Sequence, residues 1–387
     1  MGDHAIIKVE SEIAAIASSD WDICANLASS AYNPFISHAF LAALEESGCV
    51  SPQRGWLPQH LVLQDCTSGV LACMPCYLKS HSQGEYVFDH GWADAFERAG
   101  GHYYPKLQSA IPFTPVTGRR FLVPKCDDAL RREQLLLAGA IQLAERQGAS
   151  SLHATFVTEA EWHRLGDLGL LRRNDRQFHW LNNGYISFND FLASLASRKR
   201  KAIRRERREA TATGVRIEHI SGGDISEDHW DAFYQFYMDT GSRKWGTPYL
   251  IRTFFSLLGE KMSEHILLVM CRRAERYVAG ALNIVGGDTL YGRYWGCLEY
   301  HNCLHFEVCY YQAIDFAIAH GLARVEAGAQ GEHKLARGYL PKSTYSLHWI
   351  ANASLQNAVS EHLENERKYV ALEANILATH TPFKKQT

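Results

Sequence analysis

The chain lacks any apolar run near the roughly 18 consecutive positions that a membrane-spanning helix needs, so its sequence offers no transmembrane helix. An excess of one charge is also missing: 40 Lys and Arg stand against 42 Asp and Glu, for a formal net charge of -2. That balance excludes a protein coated in phosphate-binding cations, and any polyanion contact has to come from a local patch. The opening residues, MGDHAIIKVE, carry no basic-then-apolar signal pattern, and Ile6 stands where a myristoylation motif requires Ser or Thr. The expected location is therefore the cytoplasm, where the 10 cysteines would remain thiols without a disulfide framework.

What is present begins with length. A chain of 387 residues exceeds the size at which single cores stop growing, about 250 to 300 residues, and suits two domains. Its 46% hydrophobic and 21% charged fractions are those of a folded globular protein. Laying the halves side by side exposes a weak internal repeat. In the first half HLVLQD from His60 and VLACMPCYLK from Val70 read as two strands joined by a short polar turn at 66–69; HILLVM from His265 and VAGALNIV from Val278 repeat the pattern. Each half continues with an apolar-periodic helix closing at a glycine, Gly148 or Gly321, and then a short strand from Ser151 or Ala323. Each then returns through a strand ending in His-Trp, at His179-Trp180 and His348-Trp349.

This order describes an α/β protein with mixed α+β sheets and helices on their faces, built twice. The expected organisation is an N-terminal half over 1–184, a C-terminal half over 185–352 with the reactive centre, and a terminal helix and tail over 353–387. A Gly-, Pro- and aromatic-rich insertion from Ser82 to Lys125 is too long for a structureless loop and is expected to add strands or cover a site.

Three segments of the second half carry a family resemblance: the basic helix ASRKRKAIRRERREATATGV, the segment FYQFYMDTGSRKWGTPYLIRTFF, and the run from YGRYWGCLEYHNCLHFEVCYYQAIDFAIAHGL through EAGAQGEHKLARGYLP. They resemble the FemAB-like, peptidoglycan biosynthesis/recognition branch of GNAT-type N-acyltransferases. A fainter likeness in NPFISHAFLAALEESG and YYPKLQSAIPFTPVTGRR extends it over nearly the whole chain. The resemblance implies two tandem GNAT-like domains and transfer of an acyl or aminoacyl group to an amine, with a cell-wall precursor as a candidate acceptor. Typical GNAT enzymes hold the coenzyme A pyrophosphate on a glycine-rich turn at a helix N-terminus. Here the corresponding stretch, Gly296 to Leu304, lacks that pattern. Fem-type enzymes use aminoacyl-tRNA, so the donor is expected to be aminoacyl-tRNA or acyl-CoA, with no permanently bound cofactor.

Acyl transfer to an amine needs a base, donors for the oxyanion and an acid for the leaving group. The densest polar cluster able to supply them is GAQGEHKLARGY together with HFE at the start of the preceding helix. In a sheet of this kind both should flank a crevice beyond the strand ends. Glu307 or His333 is the candidate base, Tyr310 or Tyr311 the acid or oxyanion donor, and Glu332 a further catalytic candidate. Gln330, Lys334 and Arg337 are expected to bind substrate, as is Trp245 in the polar GSRKWGTP loop; ion pairing among Glu332, Lys334 and Arg337 is the alternative reading. Tyr104 and Lys106, in the insertion, are expected to reach the acceptor.

A helix expected over about 188–213 places eight Lys or Arg between Arg198 and Arg208 against one acid, Glu206. Arg200, Arg204 and Arg208 recur every four residues as a ridge, with Lys201 beside it, and Phe191, Leu192, Leu195, Ala202 and Ile203 form the stripe that docks the helix. Such a face suits the phosphates of tRNA, coenzyme A or a lipid-linked substrate; a merely solvated face is the alternative. Cys73-Met-Pro-Cys76 has no second pair and reads as strand packing. The His301, Cys303, His305, Glu307, Cys309 series falls on a turn entering a helix, which scatters such spacing, so no metal site is expected. Competing functions are an acyl-CoA-dependent N-acyltransferase of small molecules and a non-catalytic RNA- or precursor-binding module with the same fold.

Overall fold

A computed structural model describes residues 5–65, 69–212, 214–244, 248–328 and 331–384. The chain forms two compact units, residues 1–175 with 343–372, and residues 176–342 with 373–387. Their strands in chain order are β1 (Ile6–Glu10), β2 (Trp56–Pro58), β3 (His60–Asp65), β4 (Gly69–Met74), β5 (Tyr77–Lys79), β6 (Lys106–Ser109) and β7 (Ser151–Val157). There follow β8 (Leu171–Leu181), β9 (Arg216–Ser221), β10 (Ile266–Arg273), β11 (Arg276–Val285), β12 (Thr289–Cys297), β13 (Arg324–Glu326) and β14 (Leu340–Ile350).

In the first unit β1, β3 and β4 form an antiparallel sheet. The β3–β4 hairpin then bends at Pro58 and Pro75 and resumes as the β2–β5 pair, with the Gln59 N–H donating to Cys76 O across the bend. Proline has no N–H to give a ladder, which is why the pairing breaks there. From β5 the second sheet proceeds antiparallel to β6, parallel to β7 and antiparallel to residues 345–350 of β14. In the second unit β9, β10, β11 and β12 are successively antiparallel, β12 and β13 are parallel, and β13 pairs antiparallel with β8. The two orders match strand for strand.

A parallel pair requires a crossover, and each unit supplies a helix there. In the first it is the helix Ala129–Arg146; in the second it is the segment Leu304–Phe306, Glu307–Tyr311 and Gln312–Ala319, whose middle five residues are a π-turn. Both end before a glycine with positive φ, Gly148 at 63° and Gly321 at 65°, the left-handed residue that closes a helix. The apolar faces pack inward: Leu61, Leu136 and Leu152 belong to the core of the first unit, Leu267, Ile314 and Val325 to that of the second.

Two expectations are corrected. The strand ending at Trp180 pairs in the second unit and the strand ending at Trp349 pairs in the first, so each unit takes its last strand from the sequence half of the other. The units therefore divide at 175/176 and 342/343, where the sequence reading placed halves 1–184 and 185–352 and a tail from 353; the terminal helix Ala353–Thr379 begins in the first unit. The basic helix is also two helices, Phe188–Ser194 and Ser197–Thr211. Leu195 breaks it by turning extended, at φ -83° and ψ 151°, to make a β-bridge with Phe383. The insertion contributes β6, inside the first unit's sheet, and the helix His90–Arg98. Cys73 and Cys76 are buried thiols. Among the described residues no helix is long and apolar enough to cross a membrane.

Candidate functional site

The second unit opens where β12 and β13 part. They pair only from Thr289–Arg324 to Tyr291–Glu326; β13 then ends, while β12 runs on to Cys297 against β11. Gly292 and Tyr294 face Asn283 and Leu282, so Arg293 is an extra residue in the ladder, a β-bulge that bends the strand at this point. A cavity of about 110 Å³ lies here, walled by Gly292, Arg293, Trp295, His305, Cys309 and Tyr310.

The π-turn decides which side chains reach the cavity. An α-helix with one residue inserted rotates its following side chains, and such bulges are frequent at functional sites. Cys309 and Tyr310 line the cavity. Glu307 and Tyr311 turn instead toward the basic helix Ser197–Thr211. Glu307, 2% exposed, takes Arg207 Nε at 3.1 and 3.2 Å, Arg207 Nη2 at 2.9 Å and Gln312 Nε2 at 2.7 Å. Burial nevertheless raises its carboxyl above the usual range, with Arg207 pulling it back. The Tyr311 hydroxyl donates to Glu206.

Tyr310 is the group that joins the two predicted segments. Its hydroxyl is 2.9 Å from Nε2 of His333, on the short helix Glu332–Arg337 that follows β13. Burial raises the Tyr310 phenol, which keeps it protonated and able to donate. Beside it Lys334, buried, donates to Gly328 O at 3.0 Å, and burial lowers its ammonium to about 8. Arg337 donates to Glu206 Oε1 at 2.9 Å and to His333 O at 2.8 Å, and its guanidinium lies 3.4 Å over the Phe306 ring. Among the described residues Lys334 thus meets a carbonyl and Arg337 meets Glu206; the alternative reading, ion pairing among Glu332, Lys334 and Arg337, turns on a Glu332 side chain outside the described residues. Gln330 and Trp245 lie outside the described residues, as does the side chain of Glu332.

On the basic helix, Ile203 and Ala210 are buried; Lys201, Arg204 and Arg208 are exposed and Arg200 half-buried. None of these four cations has an ion-pair partner among the described residues, whereas Arg207 on the inner side pairs with Glu307 and with Asp315 at 2.7 Å. Glu206 and Arg207 were not singled out for contacts by the sequence, since the residues they meet lie about a hundred positions downstream. In the first unit Lys106 is wholly buried, donating to Ser82 Oγ and Glu85 Oε2, each at 2.7 Å, and to Asp89. Tyr104 is half-buried, its hydroxyl 2.9 Å from Ser82 Oγ. The structure brings His333, Lys334, Arg337 and Tyr310 together and keeps Lys106 inside its own unit's ion pairs.

A family model described as peptidoglycan biosynthesis/recognition matches residues 12–385. The chain belongs to the FemAB-like family. Among solved structures FemX superposes with a TM-score of 0.56 at 12% identity, covering 89% of this chain and 98% of FemX. A conserved protein of unknown function from Bacteroides thetaiotaomicron gives 0.53 at 12% identity, covering 89% and 99%. L-PGS from Bacillus licheniformis gives 0.50 at 10% identity, covering 83% and 95%. No curated protein matches by sequence. This FemAB-like chain folds as two tandem GNAT-like α/β units, the strand order of one repeated in the other.

Proposed function

We propose that this FemAB-like protein is an N-acyltransferase that moves an acyl or aminoacyl group from an activated ester or thioester to an amine, with the cavity of the second unit as the reacting centre. One observation carries the reading: a buried phenol, Tyr310, lines the cavity where β12 and β13 part and is hydrogen-bonded to an exposed imidazole, His333. Attack of an amine on a carbonyl places negative charge on oxygen and leaves a proton on nitrogen. With Nε2–H of His333 donating to the phenol oxygen, Tyr310 donates its own proton to the oxyanion or to the departing oxygen or sulfur and is reprotonated from Nε2, while the other ring nitrogen of His333 takes the proton from the amine. Glu307 turns from the cavity toward Arg207 and Gln312, whereas His333 meets the cavity-lining Tyr310, which makes His333 the better of the two base candidates.

The donor carries phosphates that the ridge of Arg200, Lys201, Arg204 and Arg208 binds. Aminoacyl-tRNA suits an extended ridge better than acyl-CoA, which offers only a few phosphates. The acceptor is an amine of a peptidoglycan precursor, in keeping with the family's description. The test is transfer of label from charged bulk tRNA, and separately from acetyl-CoA, to precursor peptides bearing a free side-chain amine. Label in the peptide supports the proposal and identifies the donor. Binding of tRNA or precursor without transfer from either donor supports a non-catalytic module.

A further inference from the structure

Glu206 is the one acid among eight cations on its stretch of helix, yet it does not face solvent with them. Its side chain is 16% exposed and turned inward. One carboxylate oxygen, Oε2, accepts from the Tyr311 hydroxyl; the other, Oε1, accepts from Arg337 Nη2 at 2.9 Å. Those two contacts end on different segments. Tyr311 follows Tyr310 on the π-turn. Arg337 closes the short helix that bears His333 and grips it by donating to His333 O at 2.8 Å. A single carboxylate therefore fastens both supports of the Tyr310–His333 hydrogen bond.

We infer that Glu206 is a positioning residue that sets the distance between Tyr310 and His333; the inference rests on reading that pair as the reacting groups. The neighbouring anchor cannot substitute for it. Arg207 bonds Glu307 and Asp315, both on the Tyr310 side, and leaves the His333 side untouched. Groups that must hold a reactive geometry lose on the order of a hundredfold in rate for an ångström of displacement. A charge-assisted contact at each end of the pair is a direct way to prevent that displacement. Glu209, also on this helix, meets Asn302 Nδ2 at 2.8 Å, Cys303 Sγ at 3.5 Å and Arg205 at 3.5 Å, so it touches only the entry to the segment that bears Tyr310 and makes no described contact with the short helix that bears His333.

The experiment compares the full chain with Glu206→Ala, Glu206→Gln and Glu209→Gln, following turnover and the ¹⁵N resonances of the His333 ring, with Tyr310→Phe as the reference for a lost hydrogen bond. In Glu206→Ala we expect the His333 resonances to move to their positions in Tyr310→Phe. We expect turnover to fall roughly ten- to a hundredfold with KM for the donor little changed. Glu206→Gln, which keeps an acceptor oxygen, falls between, and Glu209→Gln stays at the wild-type value. Should Glu206→Ala fail to fold, Glu206→Gln is read on the same two signals. Wild-type resonances and turnover in the Glu206 variants, or an equal loss in Glu209→Gln, overturn the inference. If Tyr310→Phe and His333→Ala both retain full turnover, the catalytic reading falls on its own, while the resonances still report whether Glu206 sets the geometry.

Discussion

Tyr310 and His333 lie 23 residues apart and meet through a 2.9 Å hydrogen bond, the first buried and the second exposed. The phenol and imidazole thereby link the cavity between β12 and β13 to the surface. The contact depends on the backbone at Gly331, whose φ of 119° is open to glycine and costly for other residues.

Replacing that glycine gives the first prediction. A Cβ at position 331 would stand 2.5 Å from Cε1 of His333, so Gly331→Ala displaces the imidazole as well as straining the backbone. Turnover should fall at least about tenfold. Unfolding free energy should fall by roughly 1 to 3 kcal/mol, measured by urea denaturation. Unchanged turnover would separate the reaction from the position of His333.

The outward ridge of the basic helix gives the second. Lys201→Gln, Arg204→Gln and Arg208→Gln together should leave stability within about 0.5 kcal/mol, because all three side chains are exposed and make no ion pair among the described residues. If they contact tRNA phosphates, the slope of log affinity against log salt should become shallower by about 2 to 3. Titration of tRNA at several salt concentrations measures it, and an unchanged slope assigns the ridge to solvent.

Lys334 supplies a pH dependence. Its ammonium is buried and its pKa is lowered from 10.5 to about 8, so in this window the unfolded chain holds the proton more tightly than the folded one. Stability then rises with pH between the two values. Other groups titrate there too, so the signal is the difference between wild type and Lys334→Met. Relative to that variant, wild type should gain about 2 kcal/mol from pH 8 to pH 10, read from denaturation curves at fixed ionic strength. No gain would place the ammonium in a solvated setting.

The sequence carries the local pattern of the fold well. The strands His60–Asp65 and Ser151–Val157 and the helix ends at Gly148 and Gly321 follow from periodicity and from glycine's left-handed backbone. The exchange of the last strands does not, since β8 and β14 have the same His-Trp ending and alternation alone does not choose a partner. The site is half legible. GEHKLARGY and HFEVCYY are recognisable as polar segments on either side of a strand, but the π-turn shifts the helix register and so changes which of its buried residues face the cavity. Helical spacing of 3.6 residues, applied through Glu307–Tyr311, therefore does not separate Tyr310, which lines the cavity, from Glu307, which pairs with Arg207. Glu206 escapes the reading for a different reason: in a run of cations an acid looks like a local ion-pair partner, and its actual partners are fixed only by tertiary packing.

The measurement that tests the central claim most directly is transfer of labelled acyl or aminoacyl group to a precursor amine by wild type, Tyr310→Phe and His333→Ala, with donor binding measured in parallel. The account predicts that both variants bind donor as wild type does and that each loses roughly a hundredfold or more in turnover. Wild-type turnover in both variants would contradict it and move the reacting centre away from the cavity between β12 and β13.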